Sequence, residues 1–249
     1  MIELVVIGVA AVLTSILSAI AGLGGGVILL LVIAQFVAPT TAIPVQGAIQ
    51  LVSNGSRAAM LRHNVSWPVV GWSSLLLLPG SLVGVAIATS LPDDAVRVVL
   101  AAFVLVLAWR PNVLKVRPAS QRVDADGPQQ QRPLLLGIGA ASGLLNTTVG
   151  ASGPVTSPFF KAVTATHVAF VATAAATQVA AHVSKLIAFS ASGWSAANHL
   201  DTIAVGAAGV VVGSWVGTRL LERIPTTRLD LVFNVVLTAL AVRLLLQAW

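Results

Sequence analysis

The chain has no cysteine and no tyrosine, and only 8 of its 249 residues are acidic. Without cysteine there is no disulfide, no thiolate metal site and no thiol nucleophile. Charge of either sign is scarce: 9 % of residues are Asp, Glu, Lys or Arg against 57 % hydrophobic, and the mean hydropathy is +0.94. That balance excludes an ordinary soluble domain. No charged residue lies between Glu3 and Arg57, and residues 63–92 and 133–160 are equally uncharged. Since about 20 apolar residues cross a bilayer as a helix, the first of these runs holds more than two elements. The alternation of apolar and polar residues that a membrane β-barrel needs is also missing. The expectation is an all-α, polytopic transmembrane bundle in a cell membrane, with the lipid bilayer as its first partner.

Catalytic signatures are absent as well. There is no HExxH, no GxSxG and no GxxxxGK[ST], so neither an enzyme nor a self-contained ATP-driven pump is expected, and no cofactor or metal is implied. The net charge of +6 and the pI near 11.4 do not imply nucleic acid, because the basic residues are scattered over helix ends and one central linker, as membrane topology requires. The N-terminal run ends in Ala19-Ile20-Ala21, which resembles a signal-peptidase site. It carries Glu3 in place of a basic region and has a counterpart at 134–149, so a retained helix is expected.

What is present is glycine, proline and two polar stripes. A first helix over 4–21 is interrupted by Gly22-Leu23-Gly24-Gly25-Gly26, since glycine clusters weaken helix interiors. A short element follows from Val27 to about Ala38, then a turn bracketed by Pro39 and Pro44, and a helix over about 42–61. Arg62-His63-Asn64 reads as a loop, Trp67 and Trp72 as interfacial anchors of a helix over 68–90, and Asp93-Asp94 as the cap of a helix reaching Arg110. Residues 111–133 turn to Lys, Arg, Gln, Asp and Pro, the composition of a solvated linker. A helix over 134–149 then meets Gly150-Ala151-Ser152-Gly153-Pro154, a short element ends near Lys161, and helices follow over about 164–190, 201–221 and 228–247, the last two separated by Ile224-Pro225. The implied units are a first repeat over 1–110, the linker over 111–133 and a second repeat over 134–249.

The two repeats match without a gap at an offset of 128 positions: Gly22 falls on Gly150, Gly25 on Gly153, Val27 on Val155, Gln50 on Gln178 and Ser56 on Ser184. Farther on, Gly80 and Gly84 match Gly209 and Gly213 with one residue inserted. The order and spacing indicate an internal duplication. At helical spacing Gln50, Asn54 and Arg57 share a face, and so do Gln178, His182 and Lys185. Polar stripes inside apolar helices suggest a two-sided site. Two blander readings stand beside that one: the stripes glue helices together, or Arg57 and Lys185 reach from helix ends to lipid headgroups.

Basic residues also orient the chain. With the linker cytoplasmic, five elements per half put Arg57, Arg62, Lys161, Arg219, Arg223 and Arg228 inside and Asp93-Asp94 outside, which makes the repeats inverted. Reading each Gly-broken pair as a re-entrant hairpin leaves three crossings per half, still odd. Reading 4–38 as one helix gives four per half and parallel repeats.

The stretch Ala21 to Gly26, the run from Pro44 to Arg57, and Gly150 to Gly153 with Gln178 to Lys185 together resemble the TauE/SafE family of sulfite and organosulfur-anion exporters, over nearly the whole chain. The resemblance implies transport of a small anion such as sulfite, a sulfonate or a carboxylate. In that setting Gly24, Gly25 and Gly26, and Ser152 and Gly153 with Pro154, become candidate anion cradles at helix N-termini. Gln50, Asn54, Gln178 and His182 become side-chain donors, with Arg57 and Lys185 as further members and Asn146, Thr147 and Thr148 as possible lining. If protons are coupled, His182, with an unperturbed pKa of about 6.5, is the candidate. An anion channel and a non-transport membrane protein are the alternatives to a secondary carrier, and a homodimer is left open.

Overall fold

In the computed structural model, residues 1–21, 24–109, 132–221 and 230–248 are described. They form eleven α-helices and no strand. These are α1 (Ile2–Ala21), α2 (Gly25–Ile33), α3 (Pro39–Met60), α4 (Trp67–Ser74), α5 (Leu77–Ser90) and α6 (Asp93–Trp109), then α7 (Arg132–Thr148), α8 (Gly153–Ala162), α9 (His167–Ala191), α10 (Leu200–Leu220) and α11 (Asp230–Leu246). The 111–133 linker, apart from its last two residues, and the Ile224-Pro225 break lie outside the described residues.

Several boundaries differ from expectation. Pro39 heads α3 instead of preceding it, because a first-turn proline gives up no helical hydrogen bond. The second element ends at Ile33, five residues early, and Arg62–Asn64 is a short 3₁₀ turn. The span expected over 68–90 is broken into α4 and α5, which meet at 44°. Residues 4–38 are not one helix: α2 lies beside α1, so close that a Cβ on Gly25 would collide with the Thr14 carbonyl. That fold-back removes the four-per-half reading in the form it was stated.

Three helical stretches, Ile2–Ile20, His167–Ala191 and Ala196–Leu220, are long and apolar enough to cross a membrane, and the bent α4–α5 pair passes the same test when taken together. Their outward faces are apolar. Val5, Val9 and Leu13 on α1, Val183 and Ile187 on α9, and Val211 and Val212 on α10 are exposed, a surface that water does not tolerate at this extent and lipid does. At 9 and 10 residues, α2 and α8 reach only about 14–15 Å, half of the roughly 30 Å hydrocarbon layer.

Packing alternates between the halves. α1 lies along α10, and α7 along α5; α3 crosses α9, and α6 lies on α11. The first two seams are made by glycine. On α10, Gly209, Gly213 and Gly217 meet the α1 backbone at Gly8, Val12 and Ile16. On the other side Gly80 and Gly84 of α5 meet Ala140 and Leu144 of α7, while Gly139 and Gly143 of α7 meet Ser73 and Leu77. Without a hydrophobic drive between helices in lipid, small residues gain contact by letting backbones approach. A hydroxyl cluster adds to the α1–α3–α10 junction: Ser15 Oγ is 2.9 Å from Ser53 Oγ and 2.7 Å from Ser214 Oγ, all fully buried. The apolar core centres on α2, whose Leu29, Leu30 and Leu31 have no exposure.

Candidate functional site

Both helix breaks are set by a glycine at positive φ. Gly24, at φ 114°, starts α2, and Gly150, at φ 67°, ends α7; L-residues with a Cβ reach this region only at a cost of roughly 1–2 kcal/mol. A Cβ at Gly150 would also run into Leu30 and Ile43. The breaks let two short helices, α2 and α8, begin in the interior instead of at a surface, and α3 and α9 cross beside those two starts.

At that place is a cavity where about 30 Å³ is open to the centre of a water molecule, room for two or three oxygen-sized groups at roughly 10–15 Å³ each. Ten of its fifteen lining residues fall in pairs 128 positions apart: Ser18 with Asn146, Gly24 with Ser152, Gly26 with Pro154, Gln50 with Gln178, and Asn54 with His182. Among the polar side chains of the wall Gln46 is the unpaired one, because position 174 is alanine. No acid is among the lining residues. Both N-terminal helix ends at the wall present the positive end of a helix dipole.

The polar groups are buried and incompletely partnered. Gln50 is 2 % exposed, Asn146 1 % and His182 3 %. Gln50 Nε2, Asn146 Nδ2 and His182 Nδ1 have no hydrogen-bond partner among the described residues. An unmade hydrogen bond at a buried donor costs about 1–3 kcal/mol, so the two amide NH2 groups call for an acceptor inside the cavity, and His182 Nδ1 can donate to the same acceptor in one of its two tautomers. Gln178 Nε2 donates to Ser152 Oγ at 3.3 Å, tying the α9 stripe to the start of α8. Gln46 Nε2 donates to the Gly26 carbonyl at 3.1 Å and does the same for α3 and α2. A Cβ on Gly26 would stand 2.9 Å from Gln50 Nε2 and 3.1 Å from Gln46 Nε2, so glycine is what admits both amides.

Of the residues expected from sequence, Gly24, Gly26, Gln50, Asn54, Ser152, Gly153, Gln178 and His182 line this cavity; Gly25, Arg57 and Lys185 do not. Gly25 packs on Thr14 and Ser18. Arg57 and Lys185 have no exposure at all, which removes the reading in which they reach lipid headgroups. They stand behind the wall instead. Arg57 Nη1 donates to Asn54 Oδ1 at 3.2 Å, and Lys185 Nζ donates to Gln46 Oε1 at 3.1 Å. Each cation thus takes the oxygen of a lining amide and turns the NH2 end away from itself. Thr147 and Thr148 are not at the wall: their hydroxyls bond back to their own helix, and Thr147 also to the Ser81 carbonyl of α5. Two polar lining residues, Ser18 and Gln46, were not expected from the sequence. Ser18 lies 128 positions before Asn146 and Gln46 sits one helical turn before Gln50 on the same face, so spacing could have found each.

A donor-rich, acid-free cavity lined from both halves of the chain in an apolar helical bundle is consistent with the comparison by family profile, where the profile described as Sulfite exporter TauE/SafE matches residues 7–244. The chain belongs to the sulfite exporter TauE/SafE family. No curated protein and no solved structure matches it. Membership in TauE/SafE identifies a membrane transporter of sulfite or related anions. The family consists of transporters rather than enzymes.

Proposed function

We propose that this TauE/SafE protein is a secondary carrier of the cell membrane, an exporter or permease. Its substrate is a small anion, sulfite or a related sulfonate or carboxylate, bound midway between two inverted repeats. The observation that carries the reading is the pair of unpartnered amide donors on Gln50 and Asn146, with the unpartnered His182 Nδ1 beside them, around one acid-free cavity. A desolvated anion must recover hydrogen bonds lost from water, and these groups offer them at a charge-assisted strength. The starts of α2 and α8 add backbone dipoles of the favourable sign. The inverted arrangement is supported by exchange of partners between halves, α1 with α10 and α7 with α5, and by the paired origin of the wall. Inverted repeats commonly place the substrate at their interface, at broken helices.

The test is a thermal-shift screen of the purified protein against sulfite, thiosulfate, sulfonates and small carboxylates, followed by calorimetric titration. Binding raises stability by RT ln(1 + [L]/Kd), so a concentration-dependent rise in melting temperature with one of these anions is expected. No shift with any of them, in protein that is folded and monodisperse, ends the reading.

A further inference from the structure

Lys185 is the fully buried cation that spans the junction of the halves. It belongs to α9, yet its side chain crosses to α3, where Gly47 makes room for it: a Cβ there would stand 2.7 Å from Lys185 Cδ. Nζ donates to Gln46 Oε1 at 3.1 Å and to the Gly150 carbonyl at 3.5 Å. Both partners are neutral, and both line the cavity. The four carboxylates whose side chains are described, Glu3, Asp93, Asp94 and Asp201, all lie in first turns of helices and away from this junction. Arg57 is arranged differently, since it turns back onto Asn54 and Ser53 of its own helix.

We propose that Lys185 makes this carrier an obligatory anion exchanger, which changes sides readily when an anion fills the cavity and stalls when the cavity is empty. The inference rests on the anion site proposed above and adds the mode of transport. Any sliding of α9 against α3 must loosen the Lys185 bond to Gln46, because the two residues stand on those two helices. With the cavity empty, the amine then either keeps its charge in a low-dielectric interior with less compensation than before, at a cost of several kcal/mol, or must first release its proton, and either way the step is hindered. With an anion present one residue away, the charge stays neutralised throughout the movement. The empty return step is therefore the slow one, and flux runs as a swap of one anion for another.

The experiment uses the full chain in proteoliposomes, with labelled sulfite as probe and the membrane potential clamped by potassium and valinomycin, so that charge build-up does not limit net flux. One set of vesicles is loaded with unlabelled sulfite, the other with potassium gluconate. Uptake into the sulfite-loaded vesicles is expected to be at least about tenfold faster, the rate equivalent of about 1.4 kcal/mol in the return barrier. Lys185→Met, which keeps the chain length over Gly47 without the charge, should bring the ratio toward one; Lys185→Arg should hold it high. Equal uptake into both sets by the wild type overturns the exchange mechanism, and that measurement depends on no variant folding. A ratio unchanged in Lys185→Met overturns the assignment to Lys185. No uptake in either set, together with no binding of sulfite in the calorimeter, overturns the anion site and this inference with it.

Discussion

Gln50 shows how much depends on single side chains here. Its amide is 2 % exposed, its Nε2 has no partner among the described residues, and the space it occupies exists because residue 26 has no Cβ. Hydrogen bonds to a charged group contribute about 1.5–3 kcal/mol. Gln50→Ala and Asn146→Ala are thus each expected to weaken anion binding by roughly tenfold or more, with the melting temperature of the unliganded protein nearly unchanged, since the lost donors had no protein partner. Titration calorimetry on the two variants checks this, and wild-type affinity in both would remove them from the site. Gly26→Ala should also weaken binding, but by displacing Gln50 and Gln46 together; restoring affinity by shortening Gln50 to Asn in the same protein would identify the displacement as the cause. The roles of these residues were unequally legible. Gln50, Asn54, Gln178 and His182 stand out because duplication repeats them at helical spacing. Gln46 has no counterpart to repeat it. Lys185 was expected as a further site member, with contact to lipid phosphate as the blander reading; its place behind the wall was not legible, because the room made for it by Gly47 belongs to a helix more than a hundred residues away and leaves no local sign.

Among elements, the glycine seams decide the architecture. The seam of α5 and α7 and the seam of α1 and α10 bring backbones together at Gly84 and Gly213, and in each case a Cβ would meet carbonyl or hydroxyl oxygen of the partner helix. Overpacking a close-packed interface costs about 1–3 kcal/mol. Gly84→Val and Gly213→Val should therefore each lower the thermal unfolding temperature in detergent, whereas Gly55→Val and Gly137→Val, where a Cβ would meet nothing within 4 Å, should do so by far less. Equal loss at all four positions would show that helix propensity, not the seam, sets the effect. The matching of Gly80 and Gly84 with Gly209 and Gly213 was visible in the sequence, and so were the two glycine breaks. The bend between α4 and α5 was not expected, although the sequence carries its cause: Pro79, in the first turn of α5, has no N–H for the Leu75 carbonyl and its ring crowds that carbonyl, which breaks the helix between Ser74 and Leu77.

At the level of the whole molecule, what remains to be tested is the relation of the two halves to the membrane. Arg57 no longer bears on it, since a fully buried cation is not a loop charge; the positive-inside rule now rests on exposed Arg62 and on the basic residues of the linker and second half. α2 and α8 are too short to cross by themselves, and α2 folds back along α1. Counted as two passes, the α1–α2 pair gives five elements in the first half; counted as one re-entrant hairpin, it gives three crossings by α3, the α4–α5 pair and α6. Both counts are odd, as the inverted arrangement proposed above requires, whereas α1 crossing alone beside an α2 that does not cross would make four. The 111–133 linker should then be cytoplasmic and both chain ends on the other side. Reporter fusions after Gln129 and after Trp249, one enzyme active only inside the cell and one only outside, are expected to report opposite sides. If both positions report the same side, each half crosses an even number of times, the repeats are parallel, and the pairing of α1 with α10 and of α7 with α5 must be explained by an axis along the membrane normal.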